Sequence, residues 1–131
     1  MAVDDVVNVA AFRAALRQFL RRSERIACKS GLTPQRHLLL LMIKGAPDGS
    51  EQSTVTELAG RLQLAQSTVT ELVRRAEEAG LVEREQSAAD GRVAHLRLSA
   101  EGERRLARSF TSHATERSEL REAFRHLDEA D

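Results

Sequence analysis

Apolar residues recur every three or four positions through the first thirty residues of the chain. This spacing predicts one long amphipathic helix from about residue 5 to residue 29. Thr33 and Pro34 have the chemistry of an N-cap and a first helical residue, so they predict the start of a second helix. The run HLLLLMIKG within this helix is apolar on every face, which predicts a segment buried on all sides.

The middle of the chain carries the signals of two short helices joined by a tight turn. After a predicted loop, GAPDGSEQS, the residues TVTE at 54–57 form a capping box that begins a third helix. A break at 63–66 leads into QSTVTELVRRAEEAG, a fourth helix that Gly80 is predicted to end as a left-handed cap.

Two alternating segments, LVERE and RVAHLRL, follow this pair of helices. The Asp90-Gly91 pair between them is a strong hairpin signal, so the two segments predict a two-stranded wing. Ser99 is predicted to cap a final helical region that breaks near residues 111–113. The predicted fold is therefore mainly α with a small β-hairpin wing, and it contains a winged helix-turn-helix.

The first and last helices carry apolar stripes that a domain of about seventy central residues has no room to cover. Pairing of two copies about a two-fold axis would bury these stripes, and an intrachain helical bundle is the alternative. We therefore predict three regions: an N-terminal dimerisation helix at 1–32, the winged helix-turn-helix at 33–98, and C-terminal dimerisation helices at 99–131.

The fourth helix carries the candidate chemistry on one face. Val69, Leu72, Val73 and Ala76 are spaced to face inward, which leaves the polar residues facing out. A major groove accepts one helix, and there Gln can bind an adenine edge, Thr can contact a thymine methyl group and Ser can bind a base or a phosphate. The alternative is ordinary helix chemistry, in which Ser67 and Thr68 cap the helix and Glu71 pairs with Arg75.

The wing extends this candidate surface with arginines. Arg92 directly follows the hairpin turn and is predicted to reach an adjacent minor groove, while Arg84 and Arg97 are predicted to meet phosphates. A solvated hairpin with ordinary arginines is the alternative. The predicted DNA-contacting residues are Thr54, Gln66, Ser67, Thr68, Thr70, Glu71, Arg74, Arg75, Arg84, Arg92 and Arg97.

Composition narrows the classes of function. The twenty Lys and Arg residues are balanced by twenty Asp and Glu residues, so any basic surface must be local. The absence of Trp and Tyr disfavours a binding mode in which the bases of a single-stranded nucleic acid stack on aromatic side chains. The lone Cys28 and the lack of an export or membrane segment predict a cytoplasmic protein. The four histidines lack metal-ligand spacing, and no phosphate loop, nucleophile elbow or carboxylate pair is recognisable. We therefore predict no enzyme activity, no cofactor and no metal site.

These motifs together resemble the MarR family of bacterial winged-helix transcriptional regulators. The resemblance runs from Thr33 to Gly102 and rests on TPQRHLLLLMI, STVTELAGRLQLAQSTVTELVRRAEEAGLVERE, the wing DGR, and LRLSAEG. It implies a homodimer in which the first and last helices of both chains interlock and two winged domains straddle a palindromic double-stranded operator. The half-sites of such an operator lie roughly one helical turn apart, ~34 Å.

The chain departs from the family pattern at the start of the fourth helix and at the wing. Where the family usually has Ser followed by Arg, this chain has Ala65 and Gln66, and Glu71 takes a position that is often basic. A poor N-cap costs about 1 kcal/mol unless Ser67 takes over the role. Phosphates repel Glu71 unless it accepts from a cytosine amine or is held by a neighbouring arginine. At the wing, a single arginine, Arg92, stands where two are common.

The resemblance also implies an effector pocket between the dimerisation helices and the winged domain, often for phenolic carboxylates. Phe19, Arg36, His37 and Met42 are predicted to line it around a small aromatic or anionic effector, and plain core and rim packing is the alternative. Cys28 is interpreted as a small buried hydrophobe, and oxidant sensing is the alternative. The predicted function is a ligand-responsive repressor; the alternative is a winged-helix protein-interaction module that has lost specific DNA binding.

Overall fold

A computed structural model of the chain describes residues 1–86, 89, 91–112 and 114–129. These residues form six helices and one antiparallel two-stranded sheet, which confirms the mainly helical fold with a hairpin. Asp90 of the predicted turn and His113 lie outside the described residues. The elements are α1 (Val3–Lys29), α2 (Pro34–Lys44), α3 (Val55–Leu62), α4 (Gln66–Glu78), β1 (Val82–Gln86), β2 (Ala94–Leu98), α5 (Ala100–Ser112) and α6 (Ala114–Glu129).

The predicted helix starts are confirmed by their capping bonds. The Thr33 hydroxyl accepts from the Arg36 backbone N–H at 3.1 Å, with Pro34 as the first residue of α2. At the start of α3, the Thr54 hydroxyl accepts from the Glu57 N–H at 3.2 Å, and the Glu57 carboxylate accepts from the Thr54 N–H at 3.0 Å. This reciprocal pair satisfies two amides that have no partner within the helix.

The core lies where α2, α3, α4 and the hairpin meet. Its fully buried residues include Leu39, Leu40, Ile43, Leu58, Val69, Val73, Leu81 and Leu96. The prediction that α2 is buried on all sides is wrong, because Leu38 is 42% exposed and Leu41 is only partly buried. These two side chains face a groove that α1 and α5 border, so one flank of α2 stays open.

The hairpin has a third partner that was predicted as loop. Val82 pairs with Leu98, and Gln86 pairs with Ala94, in an antiparallel register. On the other side of β2, Ser53 and Leu96 exchange backbone hydrogen bonds of 3.0 and 2.8 Å. Ser53 is 1% exposed, so the residue just before α3 fixes the wing to the helix pair.

A tight junction joins the end of α4 to the start of α5. Gly80 ends the α4 region with φ +75°, a conformation that glycine adopts without strain. The Ser99 hydroxyl donates to the Gly80 carbonyl at 2.6 Å, and the Ser99 N–H donates to the Leu81 carbonyl at 2.9 Å. The Gly102 N–H in turn donates to the Ser99 hydroxyl at 3.0 Å, which confirms Ser99 as the cap of α5.

Helices α1 and α6 pack against each other within the chain. Phe12 and Phe124 meet edge to face, with ring centroids 5.8 Å apart, and Arg22 pairs with Glu119 at 3.1 Å. This contact leaves many apolar side chains of both helices in solvent, namely Val3, Val6, Val7, Val9, Leu20 and Phe124. In the described part of the chain, no helix has the length and apolar character needed to cross a membrane.

Candidate nucleic-acid interface and apolar groove

Helix α4 presents one apolar and one polar face. Val69, Val73 and Ala76 are fully buried and Leu72 nearly so, which anchors the helix on α2 and α3. The opposite face carries four polar residues that are exposed: Gln66, Ser67, Thr68 and Thr70. Because the core fixes the helix, this polar surface is held outward as a rigid unit.

The start of α4 departs from the expected capping. Ala65 is the N-cap residue and offers no side-chain acceptor, and neither Ser67 nor Thr68 forms a capping bond. The Gln66 amide nitrogen instead donates to the Thr56 hydroxyl at 3.3 Å, which links the start of α4 to α3. The alternative in which Ser67 and Thr68 cap the helix is therefore not what the structure has, and Ser67 stays exposed at the first turn.

Glu71 stands at the centre of a charged cluster on the outer face of α4. Its carboxylate accepts two bonds from Arg74, at 2.6 and 2.9 Å, and one from the Arg75 Nε at 3.1 Å. Arg74 also pairs with Glu78. Hydrogen bonding from Arg74, followed by that from Arg75, lowers the pKa of Glu71 to about 2.

The wing arginines that were predicted to meet phosphates form ion pairs within the chain. Arg84 donates to Glu77 of α4 at 2.9 Å, and Arg97 lies 3.5 Å from Glu85 across the hairpin. Arg92, which follows Gly91 between the two strands, is exposed. Thr54 holds its position as the α3 N-cap. Helix α4 contains two arginines against three glutamates, so this helix contributes no excess of positive charge to the candidate surface.

An apolar groove of about 290 Å³ lies between α1, α2, α5 and α6. Phe19 and His37 line it as predicted, whereas Arg36 and Met42 are not among the lining residues. Met42 packs against the core instead, and its carbonyl accepts from Arg61 at 2.8 Å. The residues of α2 that line the groove instead of Arg36 and Met42 are Leu38 and Leu41.

The sequence did not predict Phe110 and Arg117 as lining residues of the groove. Arg117 of α6 stacks over the Phe110 ring, with its guanidinium carbon 4.1 Å from the ring centroid. Its Nη1 donates to the Phe110 carbonyl at 2.8 Å, so the cation is fixed at the groove. Arg117 lies seven positions after Phe110 and belongs to the next helix, so the apolar spacing within α5 alone does not reveal this contact.

His37 joins α2 to α5 beneath the groove. Its Nε2 lies 2.9 Å from the Ser109 hydroxyl, and both residues are buried. The Ser109 hydroxyl donates its one hydrogen to the Leu106 carbonyl at 2.8 Å, so His37 Nε2 must be the donor of the shared bond.

The remaining candidate residues of the sequence lie apart from both surfaces. Cys28 is exposed near the end of α1, so the interpretation as a buried hydrophobe is wrong. Within the described ranges, no group of three or more His, Cys, Asp or Glu side chains is placed to hold a metal ion.

Comparison with known sequences points to one family. The model of the MarR family matches residues 30–93 of the chain. The uncharacterized HTH-type transcriptional regulator YsmB of Bacillus subtilis (strain 168) is 38% identical over 71 residues, which cover 54% of this chain and 49% of that protein. The chain thus matches about half the length of this curated relative.

Comparison with solved structures gives the same fold. AbsC, a MarR family transcriptional regulator from Streptomyces coelicolor, matches with a TM-score of 0.70 and 19% identity, over 97% of this chain and 82% of that one. Sco3205, a MarR family regulator from the same organism solved in complex with DNA, matches with a TM-score of 0.67 and 22% identity, over 94% and 74%. At these identities the likeness establishes the winged-helix fold.

Proposed function

We propose that this chain, whose residues 30–93 match the model of the MarR family, regulates transcription by binding double-stranded DNA as a homodimer. The observation that carries this proposal is the polar outer face of α4, held by a buried apolar face beside an arginine-bearing hairpin. This is the arrangement that a recognition helix and its wing need to enter adjacent grooves. In this proposal the chain acts as a DNA-binding regulator and not as an enzyme.

In this proposal, α4 enters the major groove and the hairpin follows the backbone towards the minor groove. Base edges are contacted by Gln66, Ser67, Thr70 and Arg74, and Arg92 reaches the minor groove. Candidate backbone contacts stand at the border of this surface: Thr54, Thr68, Arg75, Arg84 and Arg97. Arg74, Arg75, Arg84 and Arg97 form ion pairs within the chain, so each must share or exchange its partner to bind DNA.

The homodimer is proposed from the apolar surface that the chain leaves uncovered. Val6, Val9 and Leu20 of α1 and Phe124 of α6 are each more than 40% exposed even though the two helices pack together. A second copy would cover them, with residues 1–32 and 99–131 as the dimerisation region and 33–98 as the DNA-binding region. Two-fold symmetry then makes the operator a palindrome with half-sites ~34 Å apart.

We propose the groove as the effector site of a cytoplasmic repressor. Phe19, Leu38 and Leu41 offer apolar contacts, and Arg117 stacked on Phe110 offers a cation to an aromatic or anionic ligand. The groove lies between the proposed dimerisation helices and α2, so a ligand there would shift the two winged domains relative to each other and lower the affinity for the operator.

The experiment is selection from a random-sequence duplex pool, followed by anisotropy titrations of the selected duplex and a scrambled duplex over a range of salt. Gln66→Ala should weaken binding of the selected duplex roughly tenfold and leave the scrambled duplex unchanged. Arg92→Ala should weaken both and lower the salt dependence. No duplex binding even at low salt would refute the proposal and favour the protein-interaction module.

A further inference from the structure

The Glu71 carboxylate keeps one acceptor position open on the surface that the proposed function assigns to DNA. Its Oε1 accepts from Arg74 Nη2 and Arg75 Nε, which uses both lone-pair directions of that oxygen. Its Oε2 accepts only from Arg74 Nε among the described residues. The carboxylate is therefore held in one orientation by three bonds, with a second lone pair of Oε2 available to an external donor.

The two arginines also remove the main objection to a carboxylate in a groove. An isolated carboxylate would be repelled by the phosphates on both sides, but here two guanidinium groups lie within hydrogen-bonding distance of it. Both arginines lie on the same helix as Glu71, so their positive charges accompany its negative charge into the groove. Glu71 is one helical turn beyond Ser67 and next to Thr70, at the middle of the outer face of α4.

We propose that Glu71 is a specificity-determining residue that accepts a hydrogen bond from the exocyclic amine of a cytosine in the major groove. This inference rests on the proposed DNA-binding function and adds the base that the central residue selects. An ionised carboxylate is an acceptor only, and the major-groove edge of cytosine offers an N4 amine donor. Adenine fits less well because its N6 donor adjoins the N7 acceptor, which repels a carboxylate oxygen. The major-groove edges of guanine and thymine offer hydrogen-bond acceptors and no donor.

The test compares three proteins in selections from the same random duplex pool: the natural chain, Glu71→Gln and Glu78→Gln. The natural chain should select sites with one fixed C·G pair that Glu71→Gln loses, with roughly tenfold less discrimination against the other bases at that position. Glu71→Gln should gain tolerance for adenine, because an amide can donate to N7 while it accepts from N6. Glu78→Gln is the matched control, since Glu78 also pairs with Arg74 but lies in the last turn of α4, and it should keep the cytosine preference.

Three results separate the inference from the function it rests on. If Glu71→Gln binds every duplex more tightly by the same factor, scrambled duplexes included, Glu71 only repels phosphate and the inference is overturned while the proposed function stands. If replacing the guanine of that pair by 7-deazaguanine, which removes only the N7 acceptor, abolishes the preference of the natural chain, Arg74 reads the guanine and Glu71 acts by positioning Arg74, so the cytosine assignment is overturned. If the natural chain selects no sequence at all, the proposed function fails. Matching circular dichroism spectra establish that each variant is folded.

Discussion

The junction between α4 and α5 gives a sharp prediction about stability, because Gly102 has no room for a side chain. A Cβ at this position would lie 2.2 Å from the Leu81 carbonyl oxygen and 3.2 Å from the carbonyl carbon. Carbon–oxygen contacts ordinarily lie at about 3.3 Å or more, so α5 and the Leu81 backbone just before β1 would have to separate by roughly 1 Å. Gly102→Ala is therefore expected to strain the centre of the fold.

The magnitude follows from what that separation disturbs. Overpacking of a well-packed region costs about 1–3 kcal/mol. The Leu81 carbonyl also accepts from the Ser99 N–H at 2.9 Å, and movement of this oxygen weakens a bond of the kind that contributes about 1 kcal/mol. We expect Gly102→Ala to lower the free energy of unfolding by about 2–4 kcal/mol, a large part of the ~5–15 kcal/mol of an ordinary domain.

Gly60 provides the matched control. It lies inside α3, and a Cβ there would meet no heavy atom within 4 Å. Gly60→Ala should stabilise the protein by about 0.5–1 kcal/mol, because alanine is the better helix former. Urea unfolding followed by circular dichroism suits a helical chain without Trp or Tyr, at one fixed protein concentration. Equal stability of Gly102→Ala and the natural chain would refute the close approach of α5 to Leu81.

Three further changes test local parts of the structure in the same assay. Thr54→Ala removes one half of the α3 capping box and should cost about 1 kcal/mol, and an unchanged midpoint would contradict the bond to Glu57. Ala65→Ser supplies the absent α4 cap and should add about 0.5–1 kcal/mol, and no gain in stability would contradict the uncapped start of α4. Arg74 and Arg75 lower the pKa of Glu71 to about 2 from 4.5, so these bonds stabilise the fold fully above pH 4.5 and lose that effect as the pH falls towards 2. The stability difference between the natural chain and Glu71→Gln should thus be present at pH 6 and shrink at pH 3, and a constant difference would refute the ion-pair account.

Much of the fold follows from local signals in the sequence. The Thr33-Pro34 start and the capping box at 54–57 involve residues within three positions of each other, so both helix starts can be predicted without knowledge of tertiary contacts. The inward face of α4 is equally plain, because four apolar residues recur at helical spacing among polar ones. These signals are sufficient to place the winged helix-turn-helix.

The features that were missed depend on contacts that the spacing of residues within one element does not determine. The run at 38–43 is apolar at every position, so periodicity cannot tell that Leu38 faces an open groove. Ser53 of the segment before α3 pairs with Leu96 of β2, and Arg117 of α6 contacts Phe110 of α5, so each contact joins two separate elements. Arg74 and Arg75 follow Glu71 by three and four positions, which are the two spacings at which side chains are neighbours on a helix. The sequence therefore allows either ion pair, and the structure contains both.

The charge balance of α4 has a consequence for how such a regulator would locate its target on a chromosome. Indiscriminate attachment to DNA comes almost wholly from neutralised phosphates, and the cations of this helix already lie against carboxylates. Few molecules would then be held on the many competing genomic sequences, and travel by sliding would be brief. Occupancy of the correct site would depend on complementary base edges more than on a general affinity for polyanions, so a small number of copies per cell would be enough.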